Sequence, residues 1–239
     1  MQVKTGKTGV VLMNVGTPDS PEPRDVRRFL KEFLSDPRVL DIHPVGRWLL
    51  LNLIILPFRP KKSGAAYREI WTEEGSPILV HSLRFEEKLQ TALGDDFVVR
   101  FAMRYGNPSY KKALREMMET GVERIVVFPL YPQYASSSTG TCLEAVYRYL
   151  GEHWNVPDVS SVPTFYDDET FIAAIAVEGK PVLAELQPEH VLFSFHGIPE
   201  RHITKSDTTG EHCLKSENCC DSMCPANAYC YRAQCHVTA

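Results

Sequence analysis

The chain has 239 residues, of which 44% are hydrophobic and 23% are charged, a composition that is ordinary for a soluble globular protein. Its net charge of −4 and the lack of a Lys/Arg block argue against a nucleic-acid partner. The first residues do not form a charged-then-apolar leader, and the longest apolar run, Trp48 to Leu56, is much shorter than the roughly 20 residues of a membrane-spanning helix.

Short apolar runs alternate with amphipathic segments, and this alternation predicts an α/β fold with a doubly wound parallel sheet. The predicted strands are residues 9–15, 97–103, 124–130, 159–162 and 191–195. The predicted helices are residues 24–34, 67–71, 78–93, 108–120, 141–154 and 168–186, the last interrupted at Gly179 and Pro181. We expect two such domains, over residues 1–160 and 161–239. The second would hold only two strands, which indicates an incomplete form of a longer protein.

The segment from His43 to Pro60 is unusually apolar, and basic side chains flank it. These are Arg47, Arg59, Lys61 and Lys62. One interpretation is a helix of the core. The other, which the basic residues favour slightly, is an apolar lip from Trp48 to Phe58 that is exposed and suited to a membrane surface or an apolar ligand.

Three predicted strands lead into polar side chains, at the sheet edge where open α/β folds bind ligands. These side chains are Arg104 and Tyr105, a hydroxyl-rich loop from Gln133 to Thr139, and His196. Arg104 is suited to a carboxylate or phosphate, Tyr105 to stacking on a flat ligand, and His196 to proton transfer or metal binding. Each also has a structural alternative, namely an ion-paired arginine, a packed ring and a solvent-facing histidine. No glycine-rich nucleotide motif or Gly-x-Ser-x-Gly elbow is present.

Six of the seven cysteines lie between Cys213 and Cys235, and Cys142 stands alone as a core residue. A secreted disulfide framework would spread its cysteines more evenly. The spacing Cys-x₅-Cys-Cys-x₃-Cys, within a loop of residues 212–230, is instead typical of thiolates that hold an iron–sulfur cluster or a structural zinc. Because the side chains of Cys219 and Cys220 are expected to diverge, the cluster is favoured over tetrahedral zinc.

Six motifs occur in order along nearly the whole chain. They are Leu12-Met13-Asn14-Val15-Gly16-Thr17-Pro18, Phe33-Leu34-Ser35-Asp36, Gly75-Ser76-Pro77, Tyr105-Gly106-Asn107-Pro108, Phe128-Pro129-Leu130-Tyr131-Pro132-Gln133-Tyr134 and Leu192-Phe193-Ser194-Phe195-His196-Gly197-Ile198-Pro199-Glu200-Arg201. In these motifs the chain resembles the ferrochelatase family. It departs from the family pattern by its cysteine-rich insert, which only some members have, and by lacking a counterpart of the C-terminal part.

The resemblance implies a chelatase-type, Rossmann-like fold and a lyase that inserts ferrous iron, its substrate, into protoporphyrin IX to form protohaem. It assigns His196 to proton removal or iron contact. The porphyrin-binding residues would be Met13, Val15, Phe29, Leu30, Phe33, Arg104, Tyr105, Gln133, Ser136 and Thr139, with Arg104 on a propionate. The glutamate that the family pairs with this histidine has no counterpart here, so we expect little or no turnover by this polypeptide alone.

The resemblance also implies an internal [2Fe–2S] cluster, because some bacterial members carry one in such a loop. The expected ligands are Cys213, Cys219, Cys220 and Cys224, with Cys230 in reserve, and Cys235 is expected to be a packed cysteine. The lip would let a cytoplasmic protein attach peripherally to the inner membrane, where protoporphyrin partitions.

Three alternatives remain open beside the enzyme. The first is a porphyrin- or metal-holding module without turnover, the second is a chelatase for another metal and tetrapyrrole, and the third is an iron–sulfur electron carrier. The last would explain only the cysteine loop and would leave His196 and the apolar lip without a role.

Overall fold

The computed structural model describes residues 6–239, and these divide into two compact units. Unit 1 comprises the chain up to Leu130 together with residues 137–162. Unit 2 comprises residues 131–136 and 163–239. The main division therefore follows Val162, and the short loop 131–136 belongs with the later part of the chain.

Four strands and nine helices are found within residues 6–239. The strands are β1 (Thr8–Thr17), β2 (Phe97–Gly106), β3 (Arg124–Pro129) and β4 (Asp158–Ser161). The helices are α1 (Pro23–Ser35), α2 (Pro44–Leu49), α3 (Leu56–Ile70), α4 (Pro77–Leu93), α5 (Tyr110–Glu119), α6 (Thr141–Gly151), α7 (Glu169–Leu186), α8 (Glu200–Ser206) and α9 (Tyr231–Thr238). Leu50–Ile55 and Ser136–Gly140 are π-helical turns.

The four strands form one parallel sheet in the order β2-β1-β3-β4, which confirms the predicted α/β fold. Val10 of β1 lies opposite Val99 on one side and Val126 on the other. Helices cover the sheet, and α4 contributes Leu79, Leu89 and Leu93 to its packing. Since both faces of a parallel sheet are covered, its strands are continuous apolar runs, and this made them recognisable in the sequence.

The carboxyl ends of β1 and β2 approach each other closely at Gly16. This residue has φ +117°, and a Cβ atom there would lie 1.8 Å from the Tyr105 carbonyl oxygen. Only glycine combines that backbone conformation with the space available. Gly16 therefore sets the geometry of the sheet edge from which Arg104 and Tyr105 extend.

Residues 44–70 form a continuous helical segment, and the lip from Trp48 to Phe58 lies within it. Leu51 and Leu56 are buried in unit 1, as the core interpretation requires. Trp48, Leu53 and Phe58 are 60%, 60% and 73% exposed. Each interpretation thus holds for part of the segment: one face is core, and the other is an exposed apolar surface.

Two predictions in unit 2 are wrong. The helix α7 continues through Gly179 and Pro181 without a break. Residues 191–195 are not a strand. Residues 188–199 contain neither helix nor strand, and α8 begins directly after them. No strand occurs in residues 163–239, all of which the structure describes, so an apolar run at 191–195 has no neighbour to satisfy its backbone hydrogen bonds.

Candidate active site and cysteine cluster

Asp36 is the centre of a buried hydrogen-bond network in unit 1. Its side chain is 5% exposed, and its Oδ2 atom accepts hydrogen bonds from Arg104 Nη2 at 2.7 Å and Tyr105 Oη at 2.8 Å. Thr141 Oγ1 donates to the same atom at 2.6 Å, and the Arg38 backbone N–H donates to Oδ1 at 2.7 Å. One carboxylate thereby joins the end of α1, the end of β2 and the first turn of α6.

The donors around Asp36 keep it ionised. Burial acts to raise the pKa of Asp36, but the hydrogen bond from Thr141 and the other donors outweigh it, so the pKa lies below its ordinary value of 3.8. Burial raises the pKa of Tyr105 well above its ordinary value of 10.0. The Tyr105 hydroxyl therefore stays protonated and remains a donor to the carboxylate at neutral pH.

Arg104 is bound on several sides within unit 1. Besides Asp36, its Nε atom donates to the Thr141 hydroxyl at 2.8 Å and to the Thr141 carbonyl at 3.1 Å. Its guanidinium carbon lies 4.5 Å from the centre of the Tyr105 ring and 5.6 Å from that of Tyr110. The structure thus gives Arg104 a carboxylate partner of its own, so a propionate bound there would be the second acid on one guanidinium.

An aromatic wall lies beside this network. Phe33 stacks on Phe29 with ring centres 5.8 Å apart, and it meets the Tyr105 ring edge-on at 5.2 Å. Of the remaining expected porphyrin contacts in unit 1, Met13 is fully buried in β1, while Val15 and Leu30 are partly exposed. Thr139 is buried in the π-helical turn, where its hydroxyl has no hydrogen-bond partner within residues 6–239.

Asp36 and Thr141 were not identified as site residues from the sequence. Asp36 stands in Ser35-Asp36-Pro37, which indicated only the end of a helix, and it lies 68 positions from Arg104. The one available signal was that Asp36 ends one of the motifs that resemble the family and that Arg104 directly precedes another. It could not show that the two side chains meet.

In unit 2, His196 lies on the wall of an open cavity of about 570 Å³. The other lining residues are mostly apolar or aromatic and include Phe193, Phe195, Ile198, Leu214 and Tyr231. Charged and titratable side chains reach the same cavity from Glu200, Arg232, Cys235 and His236. A histidine on a largely apolar wall is suited to proton transfer with a ligand that is itself apolar.

The loop 131–136 belongs to the same unit through helix α9. Gln133 Nε2 donates to Thr238 Oγ1 at 2.9 Å, and the Tyr134 backbone N–H donates to Gln234 Oε1 at 2.6 Å. Ser136 is partly exposed at the end of this loop. Of the expected porphyrin contacts, Gln133 and Ser136 therefore lie in unit 2, as His196 does, and the others lie in unit 1.

Four cysteines form a buried cluster in unit 2, which we call the thiol cluster: Cys213, Cys219, Cys220 and Cys230. The Sγ atoms of Cys219 and Cys220 are 3.9 Å apart, so the expectation that these neighbours diverge is wrong. Cys224 lies outside the cluster, with its Sγ atom 3.8 Å from His212 Nε2. Burial, and secondly the neighbouring thiols, raise the pKa of Cys213 to about 12, so metal binding there must displace protons.

Asp207 organises the start of the cysteine loop. Its Oδ2 atom accepts hydrogen bonds from the backbone N–H groups of His212 and Cys213, both at 2.7 Å. The bond from Cys213 is the main cause that lowers the pKa of Asp207 far below its ordinary value of 3.8. The carboxylate is therefore ionised at neutral pH, when these bonds are strongest.

Replacing Asp207 with alanine is expected to loosen the cysteine loop, because two backbone donors would lose a charged acceptor. Alkylation of Cys213 by iodoacetamide, followed by mass spectrometry, should then be about tenfold faster than in the original chain. Asp221→Ala, on the exposed part of the same loop, is the matched control and should leave the rate unchanged. Equal rates in both variants would show that Asp207 does not hold the loop.

The chain is similar to known proteins over almost its full length. A family model described as Ferrochelatase matches residues 7–239. Two proteins named ferrochelatase, from Coxiella burnetii and Legionella pneumophila, are 42% identical over 233 residues and 41% identical over 241 residues, and each match covers 98% of the chain. The chain spans 64% of the length of the first and 68% of the second. The similarity therefore extends through both units.

Proposed function

The chain belongs to the ferrochelatase family, and on that premise we propose that it acts in the insertion of ferrous iron into protoporphyrin IX to form protohaem, the terminal step of haem biosynthesis. The observation that carries the proposal is the position of His196 on the wall of the apolar cavity of about 570 Å³. His196 also stands in one of the motifs by which the chain resembles the family.

The chemistry of this reaction needs what the His196 cavity supplies. Two pyrrole N–H protons must leave and a divalent cation must reach four nitrogens, and a neutral imidazole can accept a proton or contact the cation near pH 7. Apolar side chains of the wall, such as Phe193 and Ile198, would contact the flat faces of the macrocycle. A site that binds a distorted macrocycle best would expose the nitrogen lone pairs and so favour the transition state.

His196→Ala tests the proposal directly. Protein in excess over protoporphyrin is mixed anaerobically with ferrous iron, or with zinc as a substitute, and the metalloporphyrin is followed by absorption. We expect insertion above the protein-free rate, and a loss of about 100-fold or more of that excess in the variant. His190→Ala, a change at another exposed histidine, serves as control. Equal rates of metal insertion by the original chain and by His196→Ala would contradict the proposal. Porphyrin binding without any metal insertion would favour the alternative of a porphyrin-holding module.

We also propose that the lip attaches the protein peripherally to a membrane surface. Four of its side chains are strongly exposed: Trp48, Leu53, Ile54 and Phe58. Basic Arg59, Lys61 and Lys62 are exposed next to them, which suits an anionic lipid surface. None of the helices within residues 6–239 has the length and apolar character to cross a bilayer, so the proposed attachment is to the surface.

Vesicle sedimentation tests the lip. Replacing Trp48, Leu53 and Phe58 with serine together should abolish co-sedimentation with phosphatidylglycerol vesicles, because most of the exposed apolar area is removed. Trp154→Ser is the control, since Trp154 is 99% exposed elsewhere in unit 1. The membrane proposal fails if the triple variant sediments as the original chain does, and high salt should weaken whatever binding is seen.

For the thiol cluster we propose a [2Fe–2S] centre held by Cys213, Cys219, Cys220 and Cys230. Four buried thiols in one place are the donor set that iron–sulfur clusters and structural zinc use. Within residues 6–239 no three His, Cys, Asp or Glu side chains are already arranged as a metal-ion site, so the thiols would have to draw together on binding. When bound, the centre would supply a redox-active cross-link of the loop.

A further inference from the structure

One carbonyl group of the lip lacks the hydrogen bond that a regular helix would give it. In an α-helix each carbonyl accepts from the N–H group four residues later, and proline has no N–H group. Pro60 lies inside α3, so it leaves the carbonyl of Leu56 without its helical donor. Leu56 is 1% exposed, so water has little access to this carbonyl, and the backbone acceptor needs a donor from elsewhere in unit 1.

Arg27 of α1 is that donor. Its Nη1 atom donates to the Leu56 carbonyl oxygen at 2.6 Å, from a position 29 residues earlier in the chain. Within residues 6–239, no other side-chain hydrogen bond joins α1 to residues 50–60. A hydrogen bond within the helix is thus replaced by one that ties the lip to a neighbouring helix.

The lip and the later part of α3 are not one regular helix. Leu50–Ile55 is a π-helical turn, in which the carbonyl of Leu51 accepts from the N–H group five residues later. Beyond Pro60 the α3 backbone passes close to the loop before α1, since a Cβ atom added at Gly64 would lie 2.5 Å from the Pro21 carbonyl oxygen. The later part of α3 is therefore held against unit 1. The lip joins it through a π-helical turn and a proline, the two features at which helices bend.

We propose that Arg27 is a positioning residue for the lip. Its bond to the Leu56 carbonyl fixes the orientation of the lip relative to the later part of α3, and so presents the exposed side chains of Trp48, Leu53 and Phe58 together to a membrane surface. The inference rests on the proposed membrane attachment for the use of the lip. The bond itself does not depend on that attachment, and its loss is measurable without lipid.

The experiment removes the Arg27 donor and then restores a donor in another way. Arg27→Met deletes the guanidinium, and Pro60→Ala supplies an N–H group at the helical position that the Leu56 carbonyl requires. Amide hydrogen exchange of residues 50–58, followed by mass spectrometry, should be about fivefold faster in Arg27→Met and return to the original rate when Pro60→Ala is added. Arg24→Met removes the same charge at another exposed arginine of α1 and, as the matched control, should leave the exchange unchanged.

The same variants connect the bond to the use of the lip. Co-sedimentation with phosphatidylglycerol vesicles should weaken in Arg27→Met and recover when Pro60→Ala is added, although that change restores no positive charge. A loss caused by the missing charge alone would appear equally in Arg24→Met and would not be recovered by Pro60→Ala. The recovery therefore separates a positioning residue from one that contacts lipid headgroups directly.

Several results would overturn the inference. Unchanged exchange of residues 50–58 in a folded Arg27→Met protein refutes the role of the bond. If Arg27→Met alone does not fold, the double variant with Pro60→Ala must fold, and its failure would refute the inference as well. Vesicle binding that stays lost in the double variant while the exchange recovers would assign Arg27 to lipid contact instead. Absence of vesicle binding by the original chain would count against the proposed membrane attachment alone, and the exchange result would still decide whether Arg27 orients the lip.

Discussion

Replacing Asp36 with alanine is expected to lower the free energy of unfolding by about 3–5 kcal/mol, the range for removing one partner of a buried ion pair. The variant would leave Arg104, whose side chain is 16% exposed, without its carboxylate, and would leave the Tyr105 and Thr141 hydroxyls without their acceptor. Urea unfolding at pH 7, followed by circular dichroism, measures the difference.

The control for Asp36→Ala is Glu74→Ala, which removes a carboxylate paired with Arg84 at 2.6 Å on the exposed surface. That variant should lose less than about 1 kcal/mol, because exposed ion pairs contribute little. A loss at Asp36 no larger than that at Glu74 would mean that the network contributes little to stability.

The pH dependence of the Asp36 effect has a definite sign. The pKa of Asp36 in the folded chain is lower than its ordinary value of 3.8, so its contribution is complete above that value. It is lost as the pH falls through the folded-state pKa, when the carboxylate is protonated. The difference in unfolding free energy between the original chain and Asp36→Ala should therefore be constant from pH 7 to about pH 5 and shrink below about pH 4.

The fold of unit 1 could be predicted because its signals are local. The strands β1, β2 and β3 are apolar runs closed by glycine and proline, and the predicted bounds agree with the observed ones within a few residues. Helices α1 and α4 likewise follow from apolar spacing and from proline in the first turn. In each case the residues that decide the element lie within it.

The site was less predictable because its decisive contacts are long-range. Asp36 meets Thr141 across 105 positions, and no local pattern marks that pair. The run 191–195 has the composition of a buried strand, but a strand also needs a neighbouring strand, which residues 163–239 do not supply.

For the proposed centre, spacing and the fold favour different fourth ligands, Cys224 and Cys230. Spacing favours Cys224, which is only four positions from Cys220. The fold instead buries Cys230 at the start of α9, in the same cluster as Cys213, and leaves Cys224 beside His212. Because a cluster needs thiolates that share one buried space, position in three dimensions outweighs nearness in the chain.

If the proposed centre is held as we propose, replacing Cys230 with serine should abolish its binding, while Cys224→Ser should retain it. Both variants remove one thiol from the same loop, so they differ only in which space the thiol occupies. Anaerobically purified protein is compared by visible absorption and by iron, sulfide and zinc content per chain. We expect cluster absorption in the original chain and in Cys224→Ser, and neither absorption nor iron in Cys230→Ser.

The opposite pattern, with iron lost only in Cys224→Ser, would restore Cys224 as the fourth ligand. A colourless protein with one zinc per chain would replace the cluster by a structural zinc, and the 3.9 Å between the Cys219 and Cys220 sulfurs is compatible with either centre. In both cases the thiols must lose their protons. Since burial raises the pKa of Cys220 to about 12, loading should release protons and become weaker as the pH falls below 7.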